Sequence, residues 1–145
     1  MKVLFVCTGN TCRSPMAEGL ARQKLGEAMQ VSSAGIEAWE GATASVHALE
    51  VLKEHDIDFS NHRSKRITAE MIEKADWIIP MTRVQQEKLM QRYPQFAPKI
   101  RYLGDWSDKQ RDIRDPWMGS LEDYRRTAQE IQELLDDLKK QLSSN

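Results

Sequence analysis

The apolar segment near the start of the chain constrains the fold more than any other feature. After Lys2, residues 3–7 are apolar without interruption, which is typical of a strand buried on both faces. Three later segments, 30–34, 76–81 and 100–103, are also predicted strands, and helical patterns lie between them. Strands that alternate with helices predict an α/β fold in which helices cover a parallel sheet.

Capping residues mark the predicted helix starts. Ser14 is predicted to be the N-cap of the first helix, because Pro15 then takes the position where a missing N–H costs nothing. Further helices are predicted to begin at residues 45, 68, 82 and 120. Two of these starts have capping-box spacing: Thr82 with Gln85, and Ser120 with Asp123.

The last helix allows two interpretations. Its apolar residues are spaced alternately by three and four, a pattern that fits the seam of a coiled coil. They are Leu121, Tyr124, Ala128, Ile131, Leu135, Leu138 and Leu142. We favour a helix packed along the sheet, since the same pattern is typical of an ordinary amphipathic helix.

Composition excludes several classes of protein. The 145 residues fit a single domain, 1–145, whose core needs no metal or disulfide. With 21 basic and 22 acidic residues the net charge is −1, so no overall field attracts nucleic acid or a membrane. No apolar run approaches the roughly 20 residues of a membrane span. Two cysteines form no disulfide framework, and no histidine pairs with them at zinc spacing. We therefore expect a cytoplasmic monomer without metal or cofactor.

The junction between the first strand and the first helix carries the reactive residues. It reads CTGNTCRSP, from Cys7 to Pro15. Such a loop can curl until its backbone N–H groups converge, and Gly9 and Asn10 tolerate the dihedral angles that this requires. Converging N–H groups at the positive end of a helix dipole bind a tetrahedral oxyanion, and Arg13 can add two further donors. The candidate phosphate-binding loop comprises Thr8, Gly9, Asn10, Thr11, Cys12 and Ser14.

Cys7 is the candidate nucleophile. Ligands of parallel α/β sheets bind beyond the carboxyl ends of the strands, where Cys7 lies. Cysteines at helix N-termini or beside cations ionise readily, so we expect a thiolate that faces the bound phosphorus and receives a hydrogen bond from Ser14. A single cysteine at a strand end is more often a small buried apolar residue, but the whole string at a strand–helix junction is far more specific.

The string VCTGNTCRSPMAE resembles the signature loop of the low-molecular-weight protein tyrosine phosphatase family. The resemblance covers nearly the whole chain in length and in the order of elements. It implies a three-layer fold with a four-stranded parallel sheet and helices on both faces. It also implies a general acid in an Asp-Pro-aromatic segment, which matches Asp115-Pro116-Trp117, with the aspartate 108 residues after Cys7.

The same resemblance assigns further roles. Asp115 would protonate the leaving group, because a phosphoryl group is displaced slowly unless a proton arrives with it. The same carboxylate would then deprotonate the water that hydrolyses phosphorylated Cys7. Ser33 would support Asn10, and His62 would join that network.

The residue before the second cysteine distinguishes two substrate classes. Tyrosine phosphatases usually have isoleucine there, whereas Thr11 makes this loop similar to that of bacterial protein-arginine phosphatases. The Thr11 hydroxyl can accept a hydrogen bond from a guanidinium N–H. Isoleucine has no such acceptor, and its larger side chain would crowd the guanidinium. Asp115 would face the cationic leaving group, and Trp117 offers a flat wall on which a ring or a guanidinium stacks. Trp39 matches an aromatic rim of tyrosine phosphatases. We favour phosphoarginine in proteins, with phosphotyrosine as the alternative.

Three rival classes fit less well. An arsenate reductase of this type would need cysteines after Cys12, and the chain has none. A phosphate-binding module without turnover would not need Asp115, and a coiled-coil adaptor would use the last helix alone.

Cys12 suggests a redox role. It lies on a loop that folds back toward Cys7, so we hypothesise that the two cysteines form a reversible disulfide under peroxide. The alternative is that Cys12 is simply a small loop residue.

Overall fold

The computed structural model describes residues 1–143 of the chain. Its strands and helices are β1 (Lys2–Cys7), α1 (Arg13–Leu25), β2 (Gln30–Gly35), α2 (Val46–Glu54), α3 (Ala69–Lys74), β3 (Trp77–Pro80), α4 (Arg83–Arg92) and α5 (Leu121–Ser143). Two 3₁₀ turns, Pro94–Lys99 and Leu103–Trp106, lie between α4 and α5.

The sheet is parallel, and β1 lies at its centre in the order β2-β1-β3. Cys7, the last residue of β1, is paired with Gly35, the last residue of β2. Pro80 is paired with Val6 and ends β3, where a residue without an N–H interrupts no further ladder bond. The carboxyl ends of the strands therefore meet at one edge of the sheet, with Cys7 in its middle.

The predicted fourth strand, 100–103, is reduced to one bridge. Ile100 pairs with Ile78, and the N–H of Arg101 donates to the Ile78 carbonyl (2.9 Å). The N–H of Tyr102 then donates to Oε1 of Gln86 on α4 (2.7 Å), and the next residue already belongs to a 3₁₀ turn. The segment thus turns away from β3 after a single bond, and the sheet of the described residues has three strands rather than four.

Helices cover both faces of the sheet, as predicted. The side chains of β1 alternate between two cores: Val3 and Phe5 lie with α1, α2 and α5, whereas Leu4 and Val6 lie with α3 and α4. None of the four is more than 3% exposed. A strand with apolar neighbours on both faces has no solvent side, which explains its unbroken apolar sequence.

The last helix packs within the molecule. α5 contacts α1 and α2, and its seam residues Ile131, Leu135 and Leu138 are fully buried. These residues share one core with Val3 and Phe5 of β1, so α5 lies on a face of the sheet as the preferred interpretation expects, and a coiled coil is not needed to cover its apolar side.

The N-caps predicted at Ser120 and Ser14 have different outcomes in the structure. Ser120 and Asp123 form a reciprocal capping box: the N–H of Asp123 donates to Ser120 Oγ (3.2 Å), and the N–H of Ser120 donates to the Asp123 carboxylate (2.9 Å). The prediction that Ser14 is an N-cap is wrong. α1 begins at Arg13, with Cys12 in the cap position and no side-chain cap. Ser14 lies within the first turn, and its hydroxyl points into the site described below.

Within residues 1–143 no helix is long and apolar enough to cross a membrane. The same part of the chain contains no group of three or more metal-ligating side chains that could hold an ion.

Candidate active site

The loop between β1 and α1 turns at one left-handed residue. Asn10 has φ 57°, and asparagine is the residue other than glycine that adopts this conformation most readily. Gly9 does not have a positive φ, so the expectation that it supplies the unusual dihedral angle is wrong. The turn at Asn10 bends the loop back over the end of β1.

Two backbone N–H groups of this loop converge on the Cys7 sulfur. Those of Asn10 and Ser14 donate to the sulfur of Cys7, at 3.3 and 3.5 Å. The N–H groups of Gly9, Thr11 and the two residues that follow it have no hydrogen-bond acceptor in the described part of the chain. Backbone donors at the N-terminus of a helix, free of protein acceptors, form a binding site for a tetrahedral anion.

Cys7 lies at the base of a cavity of about 260 Å³. The cavity is lined by Cys7, Thr8, Gly9, Thr11, Cys12, Arg13, Asp115 and Trp117. The Cys7 side chain is buried, and its sulfur lies 3.0 Å from Ser14 Oγ. Four of the six predicted loop residues, the predicted nucleophile, Arg13 and the predicted acid therefore share one cavity.

A directed chain of hydrogen bonds ends at the Cys7 sulfur. The buried Glu18 carboxylate accepts from Ser33 Oγ (2.6 Å). Since the Ser33 hydroxyl donates its proton to Glu18, its oxygen acts as the acceptor of a hydrogen bond from Asn10 Nδ2 (2.9 Å). Asn10 Nδ2 also donates to Ser14 Oγ (2.9 Å). Ser14 therefore keeps its own proton for the sulfur of Cys7. Each step follows from the donor and acceptor inventory of these groups, so the Cys7 sulfur is the acceptor at the end of the chain.

Asn10 is also held from its other side. The N–H of Lys65 donates to Asn10 Oδ1 (3.0 Å), and Nε2 of His62 donates to its carbonyl oxygen (3.0 Å). Ser33 and His62 thus both contact Asn10, which is where the family resemblance expects them.

Sequence reasoning missed Glu18. Its second carboxylate oxygen forms an ion pair with Arg22, one turn further along α1. The available signal was the spacing of Ser14, Glu18 and Arg22 by four residues, which places three polar side chains on one helix face.

Backbone hydrogen bonds join the residues that follow β2 to the start of the loop. The N–H groups of Ile36 and Glu37 donate to the carbonyls of Cys7 (2.9 Å) and Thr8 (3.0 Å). A Cβ on Gly35 would lie 2.7 Å from the Thr8 carbonyl oxygen, a separation that forces backbone to move. Glycine is therefore required here by close approach, not by its dihedral angles.

Arg13 connects the loop to the segment that carries the predicted acid. Its Nη1 donates to the carbonyl of Ile113 (3.1 Å), and its Nη2 lies 3.6 Å from Asp115 Oδ2. The Asp115 carboxylate is about half exposed and accepts from the N–H of Trp117 (3.0 Å). A buried guanidinium thus faces the cavity beside a carboxylate at its mouth.

Cys12 points toward α2 and α5. Its sulfur lies 3.3 Å from the Tyr124 hydroxyl and 3.6 Å from Ser45 Oγ, whereas the Cys7 sulfur has other partners. Burial raises the pKa of Tyr124 to about 12. Both cysteines are free thiols in the structure, so the disulfide remains a prediction. Sequence reasoning assigned Tyr124 to the core alone, since its contact with Cys12 spans 112 positions.

The two candidate specificity tryptophans differ in position. Trp117 lines the cavity. Trp39 is 87% exposed and is not among the lining residues, so the structure does not bring it into the cavity.

A buried cysteine beneath an anion-binding loop, with an arginine and a carboxylate facing the same cavity, defines the class of phosphatases that use a cysteine nucleophile. The chain belongs to the low molecular weight phosphotyrosine protein phosphatase family, whose model matches residues 2–145. The predicted family is confirmed.

Relatives of both predicted substrate classes match the chain. It is 41% identical over 144 residues to the protein-arginine-phosphatase of Geobacillus stearothermophilus, covering 99% of this chain and 97% of that protein. It is similar to the structure of a YwlE arginine phosphatase mutant with a phosphorylated active-site serine: the TM-score is 0.93 and the identity 36%, over 100% of this chain and 97% of that one. It is also similar to a low molecular weight protein tyrosine phosphatase from T. tengcongensis, with a TM-score of 0.92 and 43% identity over 97% and 99% of the two chains.

Replacing Ser33 with alanine tests the hydrogen-bond chain. We expect Ser33→Ala to destabilise the fold by about 1–3 kcal/mol, because a buried carboxylate oxygen and an amide N–H lose their partner. Alkylation of Cys7 by iodoacetamide at neutral pH should also slow, since Ser14 is no longer held as a donor. Ser32→Ala, on the neighbouring residue of the same strand, is the control. Equal thermal midpoints and equal alkylation rates for the two variants would contradict the chain.

Proposed function

We propose that this protein is a phosphatase that removes the phosphoryl group from phosphoarginine residues in proteins through a phosphocysteine intermediate. The observation that carries the proposal is the donation of two backbone N–H groups to the Cys7 sulfur, in a cavity that Arg13 and Asp115 also line. Relatives named protein-arginine-phosphatase, at up to 41% identity over nearly the full chain, support the substrate class.

The first step transfers the phosphoryl group to sulfur. The Cys7 thiolate attacks phosphorus, so an S–P bond forms while the P–N bond to the arginine guanidinium breaks. The loop N–H groups and Arg13 hold the phosphoryl oxygens, which keep their negative charge throughout. Asp115 donates a proton to the departing nitrogen, and arginine leaves as the guanidinium. Its position at the cavity mouth, about half exposed, suits contact with a leaving group rather than with the sulfur.

The second step regenerates the thiolate. The Asp115 carboxylate takes a proton from water as the water oxygen attacks phosphorus. An O–P bond forms, the S–P bond breaks, and inorganic phosphate is released. The electron pair of the broken bond returns to the sulfur, where the Ser14 hydroxyl at 3.0 Å and two backbone N–H groups stabilise it.

Thr11 supports phosphoarginine over phosphotyrosine. It lines the cavity, and the contact of its hydroxyl within residues 1–143 is a weak one to Cys12 Sγ (3.8 Å). The hydroxyl oxygen is thus available to accept an N–H from a guanidinium. Trp117 adds a flat surface at the same cavity, on which a guanidinium stacks.

Phosphotyrosine is the second candidate substrate, because the chain matches a tyrosine phosphatase family model over residues 2–145. Trp117 would serve a phenyl ring as well as a guanidinium, since both are planar. Trp39, at the edge of the site, would add an aromatic contact only if it turned toward the substrate.

Kinetics on matched phosphopeptides test the reaction. Cys7→Ser should abolish turnover of both phosphoarginine and phosphotyrosine peptides. Asp115→Asn should lower kcat by ~10²–10⁴ on peptides, which is the usual contribution of a positioned acid. The loss should be smaller on para-nitrophenyl phosphate, because that leaving group departs without a proton. An equal loss on all three substrates would argue against Asp115 as the acid.

Two substitutions at Thr11 test the substrate preference. For the wild type we expect a higher kcat/KM on a phosphoarginine peptide than on the same peptide with phosphotyrosine. Thr11→Val keeps the shape and removes the hydroxyl, so it should reduce only the phosphoarginine value, by about tenfold for one lost hydrogen bond to a charged group. Thr11→Ile adds bulk and should shift the ratio further. A ratio that neither variant changes would show that Thr11 does not set specificity.

Oxidation is expected to join Cys7 and Cys12. With hydrogen peroxide as oxidant, the Cys7 thiolate becomes a sulfenic acid, and the Cys12 thiol then displaces water to form the disulfide. Treated wild-type protein should lose two mass units and regain activity with dithiothreitol, while Cys12→Ser should be inactivated irreversibly. Detection of only sulfinic Cys7 in the wild type would exclude the disulfide.

A further inference from the structure

The exposed large apolar side chains of the described residues are concentrated at one end of the molecule. Apart from Met1, they are Trp39, Val46, Val84, Trp117 and Met118, each at least 60% exposed. Trp39, Val46 and Val84 lie on segments that follow the carboxyl ends of β2 and β3, on the edge of the sheet where Cys7 lies. Trp117 and Met118 lie on the segment that carries Asp115, which reaches the same cavity. Apolar residues scattered singly over a surface need no explanation, but a group at one site indicates a binding surface. We call these five side chains the apolar rim.

Hydrogen bonds tie two rim residues to the phosphate-binding loop. Val46 begins α2 directly after Ser45, whose N–H donates to the carbonyl of Thr11 (2.8 Å). Val84 precedes Gln85 on α4, and Nε2 of Gln85 donates to a loop hydroxyl (3.2 Å). The starts of two helices therefore hold these exposed valines next to the loop.

The tryptophans occupy two other segments near the loop. Trp117 lines the cavity itself. Trp39 follows Glu37, whose N–H donates to a loop carbonyl (3.0 Å). Together with the valines they place apolar surface on four separate segments around the cavity.

Met118 has a strained backbone conformation that side-chain packing does not offset. It occupies the third position of a turn closed by a hydrogen bond from the Gly119 N–H to the Pro116 carbonyl (2.8 Å), and it has φ 65°. Glycine or asparagine usually takes this position, because a side chain is strained there. The Met118 side chain is 82% exposed, so it gains little packing in return. Strain retained beside a reactive site points to a functional role.

We propose that the apolar rim docks the substrate polypeptide, so that the enzyme prefers phosphorylated residues flanked by apolar side chains in an extended segment. This inference rests on the proposed function. The occupant is the substrate itself, because Trp117 of the rim lines the cavity proposed to receive the phosphorylated side chain, and hydrogen bonds place the segments of the valines and Trp39 against the loop that forms this cavity. An extended chain advances about 3.3 Å per residue, so the neighbours of a residue in the cavity reach the rim on both sides.

The test compares two phosphoarginine peptides of equal length and charge, one with leucine and phenylalanine beside the phosphorylated residue and one with serine and glutamine. Wild-type kcat/KM should be about tenfold higher for the apolar peptide, as expected for a few partly buried apolar contacts. Met118→Asn keeps a residue that tolerates the left-handed turn but removes the apolar side chain. It should lower the ratio of the two kcat/KM values several-fold. Val84→Thr, a change of nearly equal shape on another segment, should lower the ratio independently and serves if Met118→Asn does not fold.

Equal wild-type values for the two peptides, or a ratio unchanged in both variants, would overturn the inference. A dimer in sedimentation experiments that Met118→Asn dissociates, with no peptide preference, would assign the rim to self-association instead. If phosphoarginine peptides are not hydrolysed but phosphotyrosine peptides are, the proposed substrate fails alone. The same flanking sequences around phosphotyrosine then decide the role of the rim.

Discussion

The hydrogen bonds at the sulfur of Cys7 join the central strand, the phosphate-binding loop and the first helix. A buried polar group is costly unless hydrogen-bond partners replace the water that it loses. Here two backbone N–H groups and the Ser14 hydroxyl lie within 3.5 Å of the sulfur. They can do so only because Asn10 takes a left-handed conformation and because the central strand ends at that point. The sheet, the turn and the first helix thus serve a single arrangement of donors.

α1 combines two demands that usually conflict. One face of the helix fills the core with residues such as Met16 and Leu20, while Arg13, Ser14 and Glu18 are polar and nevertheless buried. A buried carboxylate contributes little to stability on balance, since desolvation offsets the attraction of its partners. The contribution of Glu18 is to the direction of the hydrogen bonds. Because a carboxylate can only accept, it sets the orientation of every hydroxyl and amide between itself and Cys7. Polar residues of the candidate site therefore take buried positions of α1 that packing alone would fill with apolar side chains.

Local signals and distant contacts explain what the sequence could and could not predict. The unbroken apolar strand, the loop and the reciprocal cap at Ser120 are encoded within a few residues, so pattern reasoning finds them. The fourth strand fails because residues after Ile100 turn away toward α4, and Ser14 fails as a cap because its hydroxyl has a partner across the loop. Glu18 and Tyr124 were missed since their important contacts, to Ser33 and Cys12, join residues 15 and 112 positions apart. Contacts between residues so far apart in the sequence leave no pattern within a short segment.

Arg13 has a consequence that reaches beyond charge. Two of its nitrogens face the segment from Ile113 to Asp115, while its backbone begins the helix beneath the anion site. One planar group therefore links the start of α1, at a fixed spacing, to the segment that carries Asp115. Lysine, a point charge on a flexible stem, would keep the positive potential and lose the spacing. Under the function proposed above, the side chain that binds the phosphoryl oxygens would also hold the acid in place.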